Sequence, residues 1–187
     1  MFLLQIYLLA GLIFHKIVWE ILRRKTDEKP LETPSIKLRF IKAVKICILL
    51  GIIVQIWLPE VLPITDNPAI LRVFGIIIYT FGLLTAIAAR FQLGENWANI
   101  ETGQILERQQ VVAKGVYAFI RHPIYTGDLL LLLGLELTLN SWLVAGVFLL
   151  APVVLRQAVK EERMLVRNLP GYEVYCARTK RFIPFVI

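Results

Sequence analysis

IYTGDLLLLLGLELTLNSWLVAGVFLLAPVVL, residues 124–155, is apolar almost without interruption. One membrane crossing takes about 20 residues of helix to span a hydrocarbon slab of about 30 Å. The block is longer than that, and it carries Asn140-Ser141 at its middle. The pattern predicts two helices joined by a tight polar turn, a hairpin held in the bilayer. Each arm, at about 14–16 residues, is short for a lone crossing and suits a packed hairpin with local thinning.

Three further apolar blocks precede it, at 1–22, 41–58 and 70–89. Together they predict an all-α, polytopic membrane helix bundle of about five transmembrane helices, the last two forming the hairpin. Composition agrees: 57% of the 187 residues are hydrophobic, against about 45–50% in soluble domains, and the mean hydropathy is +0.66. The first block lacks a basic lead-in and is followed by Arg23-Arg24-Lys25 instead of a small-residue cleavage site, so it reads as a retained helix. Near its end Lys16 and Glu20 stand four apart, at pairing distance on one helix face. SIKLRFIKAVK, residues 35–45, spaces Ile36, Phe40 and Val44 by four among basic residues. It predicts an amphipathic helix start in the headgroup zone before the second span dives. Arg90 opens a long polar segment that runs to Arg121.

Lys and Arg cluster at 23–45, 90–121 and 156–181, whereas loops 59–69 and 140–141 have none. Basic loops stay on the cytoplasmic side. Five spans then put the N-terminus outside or in a lumen and the C-terminus in the cytoplasm, in a bacterial inner membrane or the endoplasmic reticulum. The formal net charge of +7 is explained by these flanks; with no basic, aromatic-studded soluble domain, nucleic acid is not an expected partner. Cys47 and Cys176 have neither disulfide nor zinc-ligand spacing, and no metal site is expected. The chain reads as one membrane domain, 1–187, with N-terminal spans in 1–92 and the chemistry in 93–187.

That chemistry lies in the two basic segments flanking the hairpin. The first, LGENWANIETGQILERQQVVAKGVYAFIRHPIYTGDL, covers residues 93–129. In it Pro123 disfavours a helical His122 and marks a helix start. The free N–H groups there suit an anion such as a carboxylate. His122 and Tyr125 add polar edges. The second segment, RQAVKEERMLVRNLPGYEVYCARTKRFIP, covers 156–184 and holds the adjacent acids Glu161 and Glu162. Arg121, His122 and the tyrosines taken alone read as an interfacial belt, and the two acids as a solvated face. Taken together, donors, acceptors and aromatics at one membrane edge suit a zwitterionic nucleoside cofactor.

GVYAFIRHPIYTG followed by EExxL and YxxY…IP resembles the isoprenylcysteine carboxyl methyltransferase family and the related phospholipid N-methyltransferases, over about half of the chain. The resemblance implies a helical membrane bundle whose cytoplasmic pocket holds S-adenosylmethionine and whose lipophilic substrate arrives from the bilayer. It implies cofactor contacts at Gln109, Gln110, Val111, Val112, Tyr117, His122, Pro123, Ile124, Tyr125 and Glu161, with Trp97 walling the substrate entrance. The family's substrate-carboxylate arginine falls at Gln157 here, next to Arg156. Arg156 and Gln157 are therefore the expected substrate contacts, with Arg156 holding an isoprenylcysteine-type carboxylate for O-methylation. For a phospholipid amine acceptor, Glu161 or Glu162 would be the base. HPxYxGDL, residues 122–129, also resembles NADPH-dependent sterol reductases, and a non-enzymatic membrane scaffold is the third alternative. Oligomeric state is not legible.

The charge asymmetry makes a test of orientation. A cysteine placed in the 63–67 loop should react with an impermeant thiol reagent from outside intact cells, and one placed near Lys180 should not. The reverse pattern would overturn the topology.

Overall fold

The computed structural model describes residues 1–24, 36–58, 61–96 and 109–184. Among the described residues six α-helices form: α1 Phe2–Arg23, α2 Ile36–Trp57, α3 Ala69–Leu93, α4 Pro123–Thr138, α5 Val144–Asn168 and α6 Tyr172–Arg178. Short 3-10 turns at Gly94–Asn96 and Gly115–Ala118 lead out of α3 and toward α4. Among the described residues there is no strand, only two isolated bridges. Phe2–Arg23, Arg39–Trp57 and Ala69–Asn96 are each long and apolar enough to cross a membrane. Their outward faces carry bare hydrophobics such as Leu3, Phe40 and Phe81, as lipid-facing helices do. The protein is an integral membrane protein of all-α architecture.

α4 and the apolar half of α5 form the anticipated hairpin, with Asn140 and Ser141 buried in its turn. The Asn140 side chain donates to the Thr65 carbonyl and accepts from its N–H, so the turn is stitched to the preceding loop. α4 has 16 residues and is short for a crossing on its own.

Lipid tails are as apolar as leucine, so helix association in a membrane relies on close packing and polar pairs. Both are present. On α3, Gly75 and Gly82 stand seven apart; on α4, Gly127 and Gly134 do the same. Each faces the other helix so closely that an added Cβ would collide with backbone: Gly82 with Leu131, Gly134 with Tyr79 and Gly127 with Ala86. Polar ties then hold the rest. The Tyr79 hydroxyl donates to the Leu8 carbonyl at 2.6 Å. The Gln55 amide donates to Glu136 at 2.7 Å. His15 pairs with Asp128 at 3.0 Å, joining α1 to α4.

The structure differs from the sequence reading at three helix boundaries. α2 is one continuous helix from Ile36, with no break between an interfacial start and the span, because no Pro or Gly interrupts residues 36–50. α3 runs to Leu93. Arg90, read as the start of a polar loop, is fully buried: its guanidinium caps the Gly94 carbonyl at 2.9 Å and lies 5.9 Å over the Trp19 ring. α5 continues past the apolar block to Asn168 with Pro152 inside it, so its last turns stand at the membrane edge as an amphipathic helix.

Gly134→Ala should push α3 and α4 apart and cost about 1–3 kcal/mol, lowering the thermal unfolding midpoint in detergent. Gly146→Ala, where a methyl meets nothing within 4 Å, is the control and should be neutral or slightly stabilising.

Candidate active site at the start of α4

The site is built where three segments converge. Pro123 occupies the first turn of α4 and His122 is its N-cap, in non-helical conformation (φ −121°, ψ 54°). The segment after α6 pairs in parallel with this stretch: the Arg121 N–H donates to the Lys180 carbonyl at 2.7 Å and the His122 N–H to the Arg181 carbonyl at 3.0 Å. α5 supplies the third wall with Glu161 and Glu162.

The two acids have opposite environments. Glu162 is buried and clamped: Arg121 Nε donates to Oε1 at 2.8 Å, Arg181 Nε donates to Oε2 at 2.9 Å, and His122 Nε2 lies 3.2 Å from Oε1. Burial alone would raise its pKa, but the bonds from His122, Arg121 and Arg181 outweigh that and hold it at about 2. Arg121 is itself held by the carbonyls of Cys176 and Thr179. Glu161 points the other way. It accepts from the Tyr125 hydroxyl at 3.1 Å, with His122 Nδ1 at 3.7 Å. Burial raises its pKa, and His122 and Tyr125 offset this only in part.

Glu161 faces a cavity of about 90 Å³ that opens to the surface. Gln109, Gln110, Val111 and Val112 form one side; Tyr117, His122, Ile124 and Tyr125 form another. The Gln110 N–H donates to the Asn96 side chain at 2.7 Å and the Gln109 amide to the Asn96 carbonyl. These bonds anchor residues 109–112 against the end of α3. Tyr117 is buried, and its backbone carbonyl accepts from the Tyr175 hydroxyl at 2.8 Å.

The residues singled out in the sequence thus separate into groups. Nine of them border this cavity, namely Gln109, Gln110, Val111, Val112, Tyr117, His122, Ile124, Tyr125 and Glu161. Pro123 lies fully buried behind them and sets the helix start. Glu162 is not on the cavity wall, and a carboxylate held at about 2 has too little proton affinity to serve as the expected base. Arg156 does not border the cavity either: it is exposed and lines a separate groove on the far side of α5. Of the residues lining that groove, Met164 alone also lines the cavity, so Arg156 is set apart from Glu161, contrary to expectation. Gln157 borders neither cavity nor groove, and Trp97 lies outside the described residues. Sequence reasoning missed Asn96, Met164 and Leu169, which also line the cavity. A signal for the α5 wall existed: Ala158, Glu162, Leu165 and Leu169 recur at helical spacing and form its buried face.

Fold and cavity together define a class: an all-α integral membrane protein with a pocket at the membrane edge, lined by the start of α4, Glu161 of α5, the tyrosines of α6 and residues 109–112. The chain belongs to the phospholipid methyltransferase family, whose model matches residues 70–170, more than half of the sequence. This agrees with the family resemblance read from RHPxY and EExxL. The fold is shared with a eukaryotic intramembrane Ras methyltransferase, isoprenylcysteine carboxyl methyltransferase, at a TM-score of 0.62 and 19% identity, covering 98% of this chain and 68% of that one. Two curated relatives match a shorter stretch. The nickel-cobalt-cadmium resistance protein NccN of Alcaligenes xylosoxydans xylosoxydans is 32% identical over 77 residues, which is 40% of this chain and 36% of the relative. The cobalt-zinc-cadmium resistance protein CzcN of Cupriavidus metallidurans is 37% identical over 76 residues, 40% of this chain and 35% of the relative. The chain thus spans about a third of the length of these two relatives.

The Glu162 clamp gives a pH test. A carboxylate whose pKa falls on folding adds stability above its unfolded value and loses it as pH drops through the folded value. Glu162 should therefore stabilise the fold fully above about 4.5 and progressively less toward about 2. Glu162→Gln leaves buried cations uncompensated and should cost about 3 kcal/mol at neutral pH. It should also flatten the acid limb of a thermal-midpoint-versus-pH curve.

Proposed function

We propose that the chain is an S-adenosylmethionine-dependent methyltransferase whose acceptor is a lipophilic molecule entering from the bilayer, with the cavity on the cytoplasmic side. The observation that carries this is the division of labour between the two acids. Glu162 is fully committed to the fold, while Glu161 presents a carboxylate to the cavity.

The donor set fits the cofactor. Glu161 can hold an α-ammonium, the side-chain amides of Gln109 and Gln110 can reach polar edges of the nucleoside, and Tyr117 and Tyr172 offer aromatic walls. When bound, S-adenosylmethionine supplies a methyl group on a cationic sulfur, already electrophilic. The protein's part is then to align the reactants and exclude water. Val111, Val112, Ile124 and Leu165 make the dry lining for that.

For the acceptor, one observation favours an amine headgroup over a prenylcysteine carboxylate. Among the described residues Arg121 is the one guanidinium on the cavity wall, and it is spent on Glu162 and two carbonyls. Among the described residues no guanidinium is left there to grip a carboxylate in the bidentate manner of arginine. The family's name, phospholipid methyltransferase, points the same way.

Calorimetry on the solubilised protein should show S-adenosylhomocysteine binding and no NADPH binding. His122→Ala and Glu161→Gln should each weaken it by on the order of tenfold or more, the cost of a lost bond to a charged group. Because the Glu161 pKa is raised by burial, affinity should fall as pH drops through a point above the usual carboxylate range, and Glu161→Gln should abolish that dependence. Unchanged affinity in both variants would sink the assignment of the pocket. With labelled donor in nanodiscs, label in phosphatidylethanolamine supports an amine acceptor, whereas label in a base-labile prenylcysteine ester would restore the carboxylate.

A further inference from the structure

The cytoplasmic half of α5 has two faces. Ala158, Glu162, Leu165 and Leu169 are buried against the site. On the opposite face stand Arg156, Lys160, Arg163 and Arg167, all exposed. Their spacing of four, three and four keeps them within an arc of about 60°, at about 100° per residue. No acid pairs with any of the four among the described residues. They line an open groove of about 700 Å³ together with Val159 and Met164. A basic stripe of this kind, unneutralised among the described residues, suits a counter-charge from outside.

Its position says where that charge is. The stripe begins at the residue after Leu155, where the apolar run 142–155 ends. Arg156 therefore sits at the junction of hydrocarbon and headgroups, and Lys160 about 6 Å farther along the helix is still within the headgroup layer. Arg163 follows within roughly a Debye length of about 8 Å of that layer, and Arg167 lies about 6 Å farther out. We propose that this stripe is a docking surface for an anionic phospholipid headgroup of the same leaflet: the phosphate is held by Arg156 and Lys160, the acyl chains run along the exposed Val153 side of α5, and the outer two arginines add attraction at longer range. Arg156 thus serves lipid recognition on the outer face of α5. Met164 lines both this groove and the Glu161 cavity, so a docked lipid lies one side chain away from the pocket. The proposal requires the membrane placement of α5 and does not require methyl transfer.

The test is electron paramagnetic resonance with spin-labelled lipids. The protein is reconstituted in phosphatidylcholine carrying spin-labelled phosphatidylglycerol or spin-labelled phosphatidylcholine, and the motionally restricted fraction gives relative association constants. The wild type should prefer phosphatidylglycerol by on the order of fivefold or more, since each near-surface cation contributes a factor of that order. The preference should shrink in high salt. Arg156→Gln with Lys160→Gln should bring it near parity, and Arg163→Gln with Arg167→Gln should reduce it less. A charge-retaining variant, Arg156→Lys with Arg163→Lys and Arg167→Lys, should keep it, which guards against a mere folding defect. Equal association of both lipids with the wild type, or an undiminished preference in the Arg156/Lys160 variant, would overturn the proposal. Calorimetry with S-adenosylhomocysteine on the same samples keeps the two readings apart, since loss of cofactor binding would sink the proposed function and leave the lipid preference standing.

Discussion

Everything at the membrane edge hangs on the Glu162 carboxylate. It receives Arg121 from the stretch before α4, Arg181 from the segment after α6, and the His122 ring at the helix start. A buried ion costs several kcal/mol unless paired and hydrogen-bonded on all sides. Here the pairing partners come from two distant parts of the chain, so satisfying one charge also brings three segments into register. The geometry of Glu161 follows, because its neighbour is fixed and the helix turns it toward the cavity.

Beneath this cluster, the α3–α4 contact supplies rigidity. Four glycines let the two backbones approach until neither helix can rotate without a collision. α4 is thereby held as a firm post, and its first turn presents His122 and Tyr125 stacked 5.4 Å apart. A site built on such a post needs little adjustment to keep its groups aligned.

Much of the fold was legible because a bilayer enforces simple rules. Length and apolarity gave the spans, and Asn140-Ser141 gave the hairpin turn, where burial is paid for by bonds to the 62–65 loop. What escaped reading depended on contacts distant in sequence. Arg90 looked like a loop residue because nothing local reveals that Trp19 of α1 will lie beneath its guanidinium. Glu161 and Glu162 are adjacent and chemically identical. Which one faces the cavity is decided by where Arg121 and Arg181 arrive, a fact held in tertiary structure alone. Arg156 stands on the outer side for a simpler reason: it is two residues, or about 200° of rotation, from Ala158 on the buried face of α5.

The parallel pairing of residues 180–181 with 121–122 has a consequence for biosynthesis. Arg121, His122 and Glu162 precede Arg181 in the chain, and the segment carrying Arg181 can pair with them only once the hairpin between them has folded back. Until then the Glu162 carboxylate lacks one of its three partners, and the helix start lacks the segment that pairs with it. The pocket is therefore finished only after the whole bundle is in the membrane.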